Sequence, residues 1–187
     1  ILLRARAIES QAFVVAAALA IQGLRVWLPA VQPAKVHNIH PSFPHFLRIA
    51  YGWLLIASVL GCLAALEDRS GGLWGASRHA LTVGFVAVMV FAIGQRVLPA
   101  FCGMRLLWST ELMFWSLALL NFGCLLRVSM EPLAYERDWQ FAWRLLPVSA
   151  VIELTAVTIF ALNLIGTLLQ RPAHLRHSSD STVARVD

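Results

Sequence analysis

Hydrophobic residues in this chain fall in long unbroken runs parted by short polar clusters, without the strict alternation that a half-buried strand requires. The cleanest run, 49–66, holds no charged residue and is closed by Glu67, Asp68, Arg69 and Ser70. As a helix it would be about 27 Å long, close to the roughly 30 Å hydrocarbon core of a bilayer. Residues 79–97 form a second run that ends at Gln95, Arg96 and, just beyond, Pro99. A third, 111–126, follows Ser109 and Thr110, hydroxyl residues suited to capping a helix start, and stops at Arg127. The longest, 145–169, is closed by Gln170, Arg171 and Pro172. Residues 12–28 are interrupted by Gln22 and Arg25 and stop at Pro29; they are read as a fifth helix. The pattern predicts an all-α, polytopic transmembrane bundle of about five spans within residues 1–170. The polar tail 171–187 has too few large apolar residues to pack and is expected to be disordered.

Composition strengthens the membrane reading. Of 187 residues, 59% are hydrophobic and 13% charged, whereas soluble domains run about 45–50% apolar and about 25% charged. The apolar surplus exceeds what one core hides, so the expected partner is the lipid bilayer. The net charge of +5 comes from bases that, Lys35 apart, are all Arg. They stand singly between apolar runs, which argues against nucleic acid. Cys62, Cys102 and Cys124 are far apart and form no C-x-x-C pair, so neither a disulfide framework nor a thiolate zinc site is indicated. Trp27, Trp74, Trp108, Trp139 and Trp143 fall near predicted helix ends, where indoles favour the headgroup level, while Trp53 and Trp115 lie inside runs and are expected to pack. The bases divide almost evenly between the two sides, so orientation rests on a lean toward a cytoplasmic C-terminus.

An ionisable group in a bilayer costs about 2.5–3.5 kcal/mol on insertion scales, which makes it a functional candidate by default. Arg25, His79, Glu111 and Glu153 qualify, the first three within a turn or so of a predicted helix end. His79 has the chemistry of a ligand for haem iron or copper, and Ala80 and Gly84 leave room for a close helix or a flat cofactor. The alternative is a hydrogen bond to a neighbouring helix or a headgroup. Glu153 shares a helix face with Thr167, with Asn163 about 80° around the axis, as a proton or cation path would want. The alternative there is an interhelical clamp, and Asn121 reads as packing glue in the same way. His37, His40 and His45, on a proline-broken segment with Pro33, Pro41 and Pro44, and His174 and His177 in the tail, read as ordinary loop histidines rather than a copper or zinc site. No phosphate loop, H-E-x-x-H or nucleophile with a base is present, so whether the protein is an enzyme stays open.

The elements His79-Ala-Leu-Thr-Val-Gly84, Met89 and Arg96, with Tyr51-Gly52-Trp53 upstream and Gly103 downstream, resemble the NnrS family over residues 41–128. The resemblance implies a haem- and copper-containing bacterial inner-membrane protein of the nitric-oxide response, with His79 as metal ligand and Arg96 as an interfacial or haem-propionate partner. It also implies that this chain, which opens on Ile1 rather than Met, is similar to the C-terminal portion of such a protein, with further helices ahead of it. Arg48 and Phe101 stand where that family is expected to carry histidines. Two rival readings come from the residues alone: a transport or proton-conducting module built on Glu153, Asn163 and Thr167, and a scaffold whose polar residues only clamp helices.

Overall fold

The computed structural model describes residues 2–28, 40–68, 70–101 and 107–169, the side chains of 2–10, 99 and 100 apart. The described residues are all-helical, in five helices. α1 is Leu2–Gly23, α2 Phe43–Glu67, α4 Thr110–Arg137 and α5 Gln140–Leu168. Between α2 and α4 runs α3, residues 72–101, which is α-helical over Gly72–His79, π-helical over Ala80–Ala87 and α-helical again over Val88–Phe101. Four of these are long and apolar enough to cross a membrane: Phe43–Glu67, Gly72–Leu98, Thr110–Arg137 and Gln140–Leu168. The protein is therefore a membrane protein of antiparallel, up-and-down helices. The polar tail 171–187, expected to be disordered, lies outside the described residues, as does Cys102.

The fifth expected span, 12–28, is corrected in extent. Its apolar helical part is Gln11–Gly23, after which the chain turns, with Arg25 in the left-handed region at φ 50°. Arg48 of α2 fixes this turn by donating from Nε to the Val26 carbonyl at 3.2 Å and from Nη2 to the Leu28 carbonyl at 3.5 Å. These carbonyls lie in the turn beyond the end of α1, so the guanidinium from the neighbouring helix satisfies backbone that no helix pairs and pins the turn in place.

The other helices are longer than their apolar runs. α3 starts at Gly72 because Asp68 caps it: its carboxylate accepts from the amides of Gly71 at 2.7 Å and Trp74 at 2.8 Å. Gly71, at φ 88°, makes the reversal a side chain would strain. His79 thus lies seven residues inside the helix, about 10 Å along its axis, not at its end. α4 begins as expected, with the Ser109 hydroxyl accepting from Leu112 N at 3.2 Å, but passes Arg127 and Pro132 to end at Arg137. Asp138 closes it in the left-handed region at φ 48°, and α5 starts two residues later.

α4 and α5 make the most extensive contact, α3 packs on α2 and α4, and α1 packs on α2. One core cluster, with Phe46, Ala50, Val88, Phe91, Leu117, Leu120 and Ala156, fills the half of the bundle nearer the α3–α4 connection. A second, with Trp53, Ala57, Ala76, Ala80, Cys124 and Val128, fills the half nearer the α2–α3 turn. Val151, Leu154, Leu162 and Ile165 stay exposed along α5, as lipid-facing side chains do. Trp27, Trp74, Trp108, Trp139 and Trp143 are exposed near helix ends and Trp53 is buried, as expected; Trp115, expected to pack, is exposed, near the start of α4.

Candidate functional site

His79 and Glu153 meet between α3 and α5. His79 Nε2 and Glu153 Oε1 share a hydrogen bond at 2.9 Å, and both side chains are largely buried, at 23% and 17% exposure. The sequence marks each residue singly; the fold brings them together across a sequence separation of 74. Two features of the packing make the approach possible. Gly123 of α4 faces α5 so closely that a Cβ there would lie 2.6 Å from Glu153 Cγ and 3.3 Å from the Ser149 carbonyl. On the α3 side, Cys124 is fully buried and its thiol donates weakly, at 3.9 Å, to the His79 carbonyl.

The π-helical stretch starts immediately after His79. At its end the Val88 amide reaches the Val83 carbonyl five residues back, the bond that defines the wider turn. Such stretches are uncommon and concentrate at functional sites. Within it, Gly84 takes the Trp53 ring: a Cβ at Gly84 would fall 2.6 Å from Trp53 Cδ2. Trp53 Nε1 then donates to Asn121 Oδ1 at 2.9 Å, and Asn121 Nδ2 donates to the Leu117 carbonyl at 2.8 Å. The small-residue notch that could admit a flat cofactor is filled by the chain's own indole, and Asn121 is packing glue, as expected.

Asn163 and Thr167 do not join Glu153. They form a second cluster toward the other end of α5. Asn163 donates from Nδ2 to Gln95 Oε1 at 2.8 Å and to the Ser109 carbonyl at 2.9 Å, and accepts the Ser109 amide at 3.0 Å. Thr167 Oγ1 accepts the Trp108 amide at 2.9 Å, and Gln95 Nε2 donates to Ser116 Oγ at 3.2 Å. This network satisfies the backbone entering α4 and is a clamp. Between it and Glu153 lie Ala156 and the stacked rings of Phe91 and Phe160, 4.0 Å apart. The stripe expected along α5 is thus divided by an apolar layer.

Arg96 is exposed over the Phe43 ring, 5.7 Å from its centroid, and well away from His79 along α3. Among the described residues no group of three or more His, Cys, Asp or Glu is arranged to hold a metal ion. With Nε2 of His79 taken by Glu153, the notch filled and Arg96 elsewhere, the described residues do not fit the haem or copper site that the NnrS resemblance implies. Of the other histidines, His40 has Nδ1 2.6 Å from the Ser42 hydroxyl and its ring 5.0 Å from that of Phe114, His45 is exposed, and His37, His174 and His177 lie outside the described residues. Arg25 and Glu111 are exposed.

Sequence reasoning missed one ionisable pair. Arg127 and Glu131, placed beyond the third run, lie inside α4 with Nε and Oε2 3.6 Å apart and exposures of 30% and 12%. Their i,i+4 spacing on a face shared with Gly123 is the signal that marks them. An all-α membrane bundle with one ionisable pair between two of its helices and a second within α4 is what the fold and the site define. The chain belongs to the family described as Domain of unknown function (DUF8744), whose model matches residues 1–167. No curated protein and no solved structure matches it.

Proposed function

We propose that this protein is a proton-coupled transport module of the bacterial inner membrane, in which the His79–Glu153 pair binds and releases the proton. The observation that carries the reading is the 2.9 Å contact between an imidazole and a carboxylate on two membrane-length helices. Both groups are costly in hydrocarbon, and an imidazole is the side chain whose ordinary titration falls in the physiological range. A plain clamp would need neither charge, since the Asn163 cluster fastens the other end of α5 with neutral groups. Proton binding changes the charge of the pair, and hence the attraction between α3 and α5. The test is proton flux into vesicles carrying the purified full chain. Glu153→Gln keeps the shape and removes the ionisable carboxyl, so it is expected to abolish flux while the protein still assembles. Unchanged flux would overturn the reading.

A haem- or copper-carrying role in the nitric-oxide response, as the NnrS resemblance implies, is a second reading; Nδ1 of His79, which accepts or donates no hydrogen bond among the described residues, is what favours it. It needs donors beyond the described residues. An optical spectrum and metal analysis test it: absorption lost in His79→Ala supports it, and a colourless, metal-free preparation from haem-supplied cells removes it.

A further inference from the structure

The second ionisable pair extends the first toward the membrane surface. Arg127 Nε and Glu131 Oε2 are both buried, 3.6 Å apart, and neither has a hydrogen-bond partner among the described residues. Charged atoms withdrawn from bulk water and held too far apart to bond directly are ordinarily bridged by an ordered water.

The register of the helices sets this pair beside His79 and Glu153. On α4, Gly123, Arg127 and Glu131 recur every fourth residue and share one face; on α3, Gly75 and His79 do the same. Glu153 lies over Gly123, and the Glu131 carboxylate lies over Gly75, so close that a Cβ there would be 2.9 Å from Glu131 Cδ. Each carboxylate therefore enters the seam over a glycine of a facing helix. Arg127 stands in its row between the glycine that seats Glu153 and Glu131 itself. One turn further out, Gly72 packs on Pro132 and Tyr135, and Ser70 donates to Glu136 at the rim, at 2.6 Å. In the opposite direction, Ala156, Val88 and the Phe91–Phe160 stack close the seam.

Resting on the proposed function above, we infer that Glu131 is the entry group through which protons reach His79 and Glu153 from the rim at the α2–α3 and α4–α5 turns. A Glu131 oxygen takes a proton from water at the rim and returns it to water on the inner side, which protonates the Glu153–His79 pair. Arg127 keeps its own protons throughout and offsets the negative charge of the carboxylate left behind. Among the described residues, the other charged or titratable groups near this route are Arg78 of α3, turned outward over the Trp74 ring at 5.1 Å; Cys124 of α4 with Tyr135, Glu136, Arg137 and Asp138 at its end; Cys62 of α2 with Glu67 and Asp68 at its end; and exposed Arg144 of α5.

The test is stopped-flow proton uptake by the full chain in nanodiscs after a pH jump, read with a soluble pH dye. Wild-type uptake that is smaller in amplitude in Glu153→Gln assigns protons to the pair. Glu131→Gln is then expected to leave that amplitude and to slow its rate tenfold or more, with Glu131→Asp intermediate. An unchanged rate in both Glu131 variants overturns the entry role and leaves the proposed function standing. An amplitude identical in wild type and Glu153→Gln overturns both. Should Glu131→Gln fail to assemble, the Glu131→Asp rate decides alone.

Discussion

Gly123 and Glu153 touch at the point where α4 and α5 come closest to the imidazole: a methyl at Gly123 would sit 2.6 Å from Glu153 Cγ. The obstruction includes backbone, since the Ser149 carbonyl and the Glu153 amide are each 3.3 Å from the same point. Gly123→Ala is therefore expected to push α5 outward and lengthen the His79–Glu153 contact. Overpacking of this kind costs about 1–3 kcal/mol. Thermal unfolding in detergent should move down accordingly; a variant as stable as wild type, with the pair intact by NMR, would contradict the packing described here.

Gly84→Ala meets the Trp53 ring at shorter range, with its Cβ stem involved as well. The indole cannot retreat without losing its bond to Asn121. The expected result is a loss of stability at least equal to that of Gly123→Ala, with a change in Trp53 fluorescence as the ring leaves its buried site. Trp53→Phe removes the hydrogen bond together with part of the buried ring, and the hydrogen bond's share of the loss should be about 1 kcal/mol. Equal stability of wild type and Gly84→Ala would count against the close approach at the π-helical stretch.

Much of this fold was readable in advance because lipid leaves few options. The run 49–66, with no charge and the right length, had to be a spanning helix, and His79 and Glu153 stood out singly as ionisable groups in greasy surroundings. Their pairing was not readable, since it depends on Gly123 and on helix rotation, which no local pattern records. Hydropathy also cut helices short, starting α3 too late and ending α4 too early. α3 begins with Gly72, Leu73, Trp74 and Gly75, a stretch held helical by Asp68 from outside, and α4 carries Arg127 and Glu131 past the end of its apolar run. Those same polar residues, dismissed by an apolar count, extend the candidate site. Asn163 and Thr167 looked like part of a stripe with Glu153, but a face of one helix does not say which neighbour each turn meets.

Asn163→Ala should behave unlike any change near His79. It removes bonds to Gln95 and to both backbone groups of Ser109, leaving buried polar groups without partners. Orphaned groups of this kind cost about 1–3 kcal/mol each. The expected outcome is a large fall in melting temperature, together with faster amide exchange at Trp108 and Ser109. Proton flux per assembled protein should stay at the wild-type level, because the cluster lies beyond the Phe91–Phe160 layer. Selective loss of flux without loss of stability would mean that the two clusters act as one.

Membrane insertion has its own check. With Val151, Leu154, Leu162 and Ile165 exposed on α5, the chain should require detergent or lipid to stay monodisperse, and exposed positions along this face should be shielded from water-soluble cysteine reagents once inserted. Substituting Leu154 by Cys and probing with a charged maleimide reads this directly. Rapid labelling in intact vesicles would contradict the placement.

The most direct measurement of the central claim is the nitrogen NMR signal of the His79 ring, in full-length protein labelled at histidine and held in lipid, followed across a pH titration. The account predicts a resonance, identified by its loss in His79→Gln, that moves between neutral and charged imidazole positions and whose midpoint changes when Glu153 is replaced by Gln. A His79 signal that stays fixed across the physiological range, or one indifferent to Glu153→Gln, would contradict it.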